Sequence, residues 1–138
     1  MKPIHGLSLF AIGLSLLLVP ASAKNAFRLQ MIQQYKMQTT PALTTCQYCH
    51  QSSNGGQNFN AFGQTLKPLF DASGDNIKVA LYNALKAGKD SDSDGYPDVL
   101  EVLAKTAPGD PASKPKQTVA VLQASLKKSG GIDQFKAK

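Results

Sequence analysis

Two thiols and an imidazole stand within five consecutive residues of this 138-residue chain: Cys46, Cys49 and His50. Two residues separate the cysteines, and the histidine follows the second cysteine directly. With this spacing each cysteine can form a thioether to one vinyl group of a porphyrin, and the adjacent imidazole can bind the iron as its proximal ligand. The pattern therefore predicts a covalently attached haem (haem c), held by Cys46, Cys49 and His50.

Two other chemistries use similar residues. Cys-x-x-Cys pairs also carry out thiol–disulfide exchange, but the sequence around Cys46 lacks the strand–helix alternation expected of a thioredoxin-like chain. A closed structural zinc site needs four ligands, and this cluster offers three. We favour haem attachment over both.

A second chemical pattern occupies residues 90–101, which read D-x-D-x-D-G-x-x-x-x-x-E. Calcium binds oxygen atoms, and alternating aspartates on a tightly turned loop can direct several carboxylates at one centre. Gly95 permits the turn, Tyr96 would bind through its carbonyl, Asp98 directly or through water, and Glu101 through both carboxylate oxygens. The predicted calcium ligands are Asp90, Asp92, Asp94, Tyr96, Asp98 and Glu101. The alternative is an acidic loop that binds no cation.

Residues 90–101 resemble the calcium loops of EF-hand, dockerin and thrombospondin type-3 repeats. In paired EF-hands the eighth loop position donates its N–H to the partner loop, whereas Pro97 stands at that position here and has no N–H. The sequence contains no second loop of this kind. We therefore expect a single structural calcium site and no calcium-sensing switch.

Residues 46–50 resemble the attachment motif of the c-type cytochromes, which implies a small all-α domain built around the haem. In the common monohaem members a methionine far downstream supplies the sixth ligand of the iron, yet no methionine follows Met37 in this chain. His50 is the only histidine once a signal peptide is removed, so a second histidine ligand within the chain is excluded. Met31 and Met37 remain, and we expect Met37 to be freer to reach the iron, because Met31 shares an apolar helical stripe.

The first 23 residues have the pattern of a secretory signal peptide. Lys2 precedes an apolar run over residues 7–19, and Ala21-Ser22-Ala23 offers a small-residue cleavage site. We expect cleavage after Ala23 and a periplasmic or otherwise extracytoplasmic protein. No later segment approaches the ~20 apolar residues that a membrane span needs.

Removal of the signal leaves one small domain by length. We assign residues 24–113 to a cytochrome c-like haem domain that includes the calcium loop, and residues 114–138 to a basic tail, partly helical or flexible. The tail contains six lysines against Asp133 alone, in a chain whose net charge is +6. Such a tail either steers an acidic redox partner protein or is a solvated chain end. We expect no nucleic-acid partner.

Helical periodicity runs through the mature sequence without convincing strand alternation, which predicts an all-α fold. Apolar residues at i, i+4 and i+8 predict a first helix through Tyr35 that ends before Pro41. Further helices are predicted over residues 75–88, with Asp75 as the capping residue, over 97–105 and over 118–128.

The region between the haem motif and residue 75 gives weaker signals. A short helix around Leu66 would tolerate Pro68 only in its first turn. Phe59 and Phe62 follow a small polar loop, and we expect both rings to pack on the porphyrin.

The predicted haem supports more than one function. Six-coordinate iron favours electron transfer, whereas an open sixth position would admit CO, NO, oxygen or peroxide. The only arginine, Arg28, lies on the first helix, and no distal histidine or arginine is placed near the haem. We expect an electron carrier rather than an enzyme; the alternatives are a ligand-binding or peroxidase-like haem protein and a haem subunit of a larger exported redox complex.

Overall fold

The computed structural model of the protein describes residues 21–138, so most of the predicted signal peptide lies outside the described residues. This described part forms five α-helices and three short 3₁₀ helices, with no strand beyond one isolated bridge. The α-helices are α1 (Ala21–Gln34), α2 (Ala61–Ala72), α3 (Ile77–Lys86), α4 (Asp98–Ala104) and α5 (Val119–Lys128). The 3₁₀ helices span Pro41–Leu43, Cys46–Tyr48 and Gly131–Phe135.

This architecture confirms the all-α prediction for the described residues, and most helix starts follow local capping signals. The Thr118 side chain caps α5 by accepting a hydrogen bond from the N–H of Val121. At α3 the cap is Asn76, whose side chain accepts from the N–H of Val79, while Asp75 adopts a φ of +61°. The predicted cap at Asp75 was therefore wrong by one residue.

Helix α2 is longer than expected and carries Pro68 in its interior, so the restriction of Pro68 to a first turn was wrong. Pro68 has no N–H to offer the carbonyl of Gln64, four residues earlier. Both residues are exposed, and water can bond that carbonyl. The helix begins at Ala61 because the Asn60 side chain caps it, accepting from the N–H of Gly63 at 2.9 Å.

The core forms around α3, which packs against α1, α2 and α4. Beside it three buried aromatic rings, Tyr35, Tyr48 and Phe62, lie with their centroids 5.8 to 6.4 Å apart. The Tyr35 hydroxyl donates to the carbonyl of Leu81 at 2.8 Å. Since Tyr48 lies between the two cysteines, this aromatic group holds the cysteine segment against the core.

The C-terminal segment folds back onto the same core. Leu122 of α5 is buried, and Phe135 is 1% exposed with its ring edge-on to Tyr35. The segment predicted as a basic tail thus contributes apolar side chains to the domain, while all six of its lysines stay exposed. Among the described residues, no helix has the length and apolar character needed to cross a membrane.

Candidate functional site

The cysteine–histidine segment forms a tight turn. Cys46–Tyr48 is a 3₁₀ helix, and the N–H groups of Cys49 and His50 both donate to the Cys46 carbonyl, at 3.2 and 3.0 Å. Both cysteines are half-buried free thiols. The turn therefore brings two thiols and one imidazole onto a single short piece of backbone.

A short antiparallel contact fixes the chain that follows this turn. His50 and Phe59 form an isolated β-bridge, and the N–H of Gln51 donates to the Asn58 carbonyl at 3.0 Å. The ring of Phe59 lies against the imidazole, with centroids 4.8 Å apart and planes 32° from parallel. The orientation of the His50 ring is thus set by backbone pairing and by an aromatic neighbour.

Cys46, Cys49 and His50 share one wall of a cavity of about 300 Å³. Helices α1, α2 and α3 form much of the remaining wall and contribute mainly apolar side chains. Those apolar lining residues are Phe27, Met31, Leu66, Phe70, Ile77 and Leu81. Two thiols, an imidazole and apolar walls on one cavity are a donor set and an environment that fit a covalent haem.

The cavity lining favours Met31 over Met37 as the candidate sixth ligand of a haem iron. Met31 is 3% exposed and lines the cavity, whereas Met37 is fully buried and lies outside its lining. The sequence-based preference for Met37 is therefore not supported by its position. Likewise Phe59 lines the cavity but Phe62 packs in the aromatic core instead.

Arg28 also lines the cavity, contrary to the expectation that no arginine stands near the haem. Its guanidinium donates to the Thr44 carbonyl at 2.9 Å and to the Asn25 side chain at 2.9 and 3.3 Å. The bond to Thr44 ties α1 to the chain immediately before the cysteines, while the bonds to Asn25 hold the guanidinium within α1. Arg28 thus serves at least to hold the attachment segment beside α1.

Asn60 is the residue that connects the attachment segment to the rest of the fold, and sequence reasoning missed it. Its amide nitrogen donates to the carbonyls of Gln47 and Tyr48 at 2.8 and 3.2 Å, while its backbone N–H donates to the Cys49 carbonyl at 3.1 Å. A Cβ on Gly63 would lie 1.9 Å from that same Cys49 carbonyl oxygen. The close approach of α2 to the cysteines therefore requires glycine at position 63.

The acidic loop is wound as its sequence predicted. Asp90, Asp92 and Asp94 each offer a carboxylate oxygen, and these oxygens lie within 4.8 Å of one another. The N–H of Gly95 donates to Asp90 at 2.8 Å, and that of Tyr96 donates to Asp94 at 2.9 Å. The loop thus turns its backbone donors toward some carboxylate oxygens and leaves others without them.

Four carboxylate oxygens of the loop are buried and make no hydrogen bond: one each from Asp92 and Asp94, and both from Glu101. Glu101 is 0% exposed. Burial, reinforced by the neighbouring carboxylates of Asp92 and Asp94, raises its pKa from 4.5 to about 9. Buried carboxylate oxygens without donors are costly unless a cation or a proton balances them.

Asp98 accepts hydrogen bonds from within the loop, and its role as a calcium ligand, direct or through water, stays a prediction. Its two oxygens accept from the N–H and the hydroxyl of Ser91, at 2.8 and 2.7 Å, so they close the loop onto α4. Burial raises the Asp98 pKa to about 6, against the lowering effect of the two Ser91 hydrogen bonds. A direct bond from Asp98 to calcium would compete with these bonds, while the roles of Tyr96 and Glu101 stay predictions.

The structure thus gathers the predicted residues into two groups, a cavity wall with Cys46, Cys49 and His50 and a carboxylate loop at residues 90–101. Comparison of the chain with protein-family models, with curated proteins and with solved structures found no match. The functional proposal therefore rests on the chemistry of these two groups.

Proposed function

We propose that this protein is an extracytoplasmic c-type cytochrome, with a cytochrome c-like fold and one covalent haem, that carries electrons. The observation that carries the proposal is the placement of Cys46, Cys49 and His50 on one wall of a cavity otherwise lined mainly by apolar side chains. When bound, the haem supplies a one-electron iron couple, and the protein supplies attachment, orientation and a water-poor environment.

Each part of the cavity has a role in this proposal. Cys46 and Cys49 would hold the porphyrin at two points, and His50 would bind the iron through its imidazole, whose rotation the ring of Phe59 limits. Met31, the cavity-lining methionine, would supply a thioether as the second protein ligand of the iron. A methionine ligand keeps iron six-coordinate, which favours electron transfer over binding of small ligands.

Thiol–disulfide exchange is the less favourable use of the same cysteines. Such exchange requires a thiolate, and the thiols that perform it usually have a lowered pKa. Burial, with a smaller contribution from Cys46, raises the pKa of Cys49 to about 12. A protonated thiol is poorly suited to attack a disulfide, which disfavours exchange as the role of Cys49.

We propose in addition that residues 90–101 bind one calcium ion as a structural element. The support is the buried Glu101, whose two oxygens make no hydrogen bond and lie beside the Asp90, Asp92 and Asp94 carboxylates. Oxygen-only ligands in a flexible loop favour calcium among the common cations. The bound ion would balance the charge that the fold otherwise leaves buried.

Optical spectra of the mature protein test the electron-carrier proposal. We expect bands of a covalent haem, a methionine–iron charge-transfer band in the oxidised form, and no change when CO is added to the reduced form. Met31→Leu, which conserves volume, should abolish the charge-transfer band and allow CO to bind. Met37→Leu is the matched control and should leave the spectra unchanged. A prompt CO shift in the native protein would instead favour the ligand-binding alternative.

A further inference from the structure

The calcium loop and the haem-attachment segment are joined through α2. The Ser91 hydroxyl donates to Asp98 at 2.7 Å and lies 2.9 Å from the hydroxyl of Thr65. Because the single Ser91 proton is given to the Asp98 carboxylate, the hydrogen in the Ser91–Thr65 bond comes from Thr65. Thr65 belongs to α2, two residues after Gly63, whose backbone touches the Cys49 carbonyl.

A second connection leaves the loop through the other end of α4. The N–H of Thr106 donates to the Glu101 carbonyl at 2.9 Å, which holds the chain as it leaves the helix toward Gly109. A Cβ on Gly109 would lie 2.6 Å from the side-chain oxygen of Asn60. Asn60 in turn holds the carbonyls of Gln47 and Tyr48. Three contacts, Thr106 with Glu101, Gly109 with Asn60 and Asn60 with Tyr48, thus connect a predicted calcium ligand to the segment between the cysteines.

We propose that cation binding at residues 90–101 and reduction of the haem are thermodynamically linked, with Thr65 and Asn60 as the contacts between the two sites. This inference rests on the proposed haem and calcium sites. A divalent cation adds positive charge near the attachment segment, and the reduced haem carries one positive charge fewer than the oxidised haem. Calcium therefore binds the reduced protein more tightly, and by reciprocity it raises the reduction potential.

Calcium titration calorimetry on the haem-loaded protein, once fully oxidised and once fully reduced, tests the linkage. We expect a two- to tenfold higher calcium affinity in the reduced form, equivalent to a rise in reduction potential of about 18 to 59 mV for a one-electron couple. Equal affinities in a protein that carries covalent haem would overturn the linkage alone. No calcium binding to either form would overturn the calcium site and the linkage together.

Hydrogen exchange tests the contact route independently of redox chemistry. The N–H groups of Cys49, His50 and Asn60 are bonded within the attachment segment, and calcium should slow their exchange relative to chelator. Thr65→Val removes the hydroxyl that bonds Ser91 and should reduce this difference. Thr40→Val, at a residue whose side chain makes no capping hydrogen bond, is the matched control and should preserve it. An unchanged difference in Thr65→Val would overturn the route through α2.

Discussion

Replacement of Glu101 by glutamine should stabilise the calcium-free protein and destabilise the calcium-bound one. In the folded, metal-free protein Glu101 keeps its proton up to a pKa of about 9, whereas the unfolded chain releases it near 4.5. Above pH 4.5, ionisation of Glu101 in the unfolded chain favours the unfolded state by about 1.4 kcal/mol per pH unit. At pH 7 this cost to the folded protein amounts to roughly 3 kcal/mol. Glutamine has nearly the same shape and no proton to lose, so Glu101→Gln removes this cost.

In excess calcium Glu101→Gln should instead destabilise the protein, because glutamine offers one uncharged oxygen where the native residue offers two charged ones. Native protein at a calcium concentration 1,000 times its dissociation constant gains about 4 kcal/mol, and the variant should lose most of that gain. Thermal unfolding at pH 7 in chelator and in excess calcium measures both effects. A shift of roughly 3 kcal/mol corresponds to on the order of 10 °C for a domain of this size.

Asp98→Asn is the matched control for Glu101→Gln. Asp98 is also fully buried, but both its oxygens accept hydrogen bonds from Ser91. Asparagine keeps one acceptor, and the lost hydrogen bond costs about 1–3 kcal/mol, while removal of a carboxylate whose pKa is raised to about 6 offsets that loss. Asp98→Asn should therefore stabilise the calcium-free protein less than Glu101→Gln does. If Glu101→Gln lowers the melting temperature in chelator, the assignment of Glu101 as a charge held for a cation is refuted.

Four further predictions concern the attachment segment and pH. Gly63→Ala should lower the free energy of unfolding by about 3 kcal/mol, measured by urea denaturation, because its methyl group would meet the Cys49 carbonyl oxygen at 1.9 Å. Asn60→Ala removes a helix cap and leaves two carbonyls without donors; a loss of about 2–4 kcal/mol and less covalent haem on a stained gel are expected. Cys46→Ser combined with Cys49→Ser should abolish covalent haem on the same gel while export continues. In chelator the melting temperature should fall as the pH rises from 5 to 9. The raised pKa of Glu101 gives the folded protein a stability that is fully present below pH 4.5 and is lost as the pH rises to about 9. Calcium should remove this fall, since it binds the ionised carboxylate.

Features encoded by local spacing could be predicted from the sequence. The all-helical class followed from periodicity, and the Thr118 cap and the bond from Gly95 to Asp90 join residues only a few positions apart. The turn that brings Cys46, Cys49 and His50 together needs only five residues. In each case the partner atoms lie close along the chain, so residue type and spacing determine the contact.

Features that depend on distant segments could not be predicted in this way. Asn60 reads as a helix cap, but its bonds to residues 47 and 48 and its contact with Gly109 need the folded chain. Met31 lies in an apolar stripe whether it faces the core or a cavity, and only the position of α2 and α3 decides between the two. The burial of Phe135 likewise requires α5 to turn the chain back onto Tyr35.

Intact-mass measurement of the denatured protein, purified after export from a host that attaches haem, shows directly whether Cys46 and Cys49 hold a haem. We expect a chain that begins at Lys24 and is heavier by the mass of one haem, which survives denaturation because Cys46 and Cys49 hold it covalently. A haem-free mass, or a chain lighter by two hydrogens from a disulfide between the two cysteines, would contradict it.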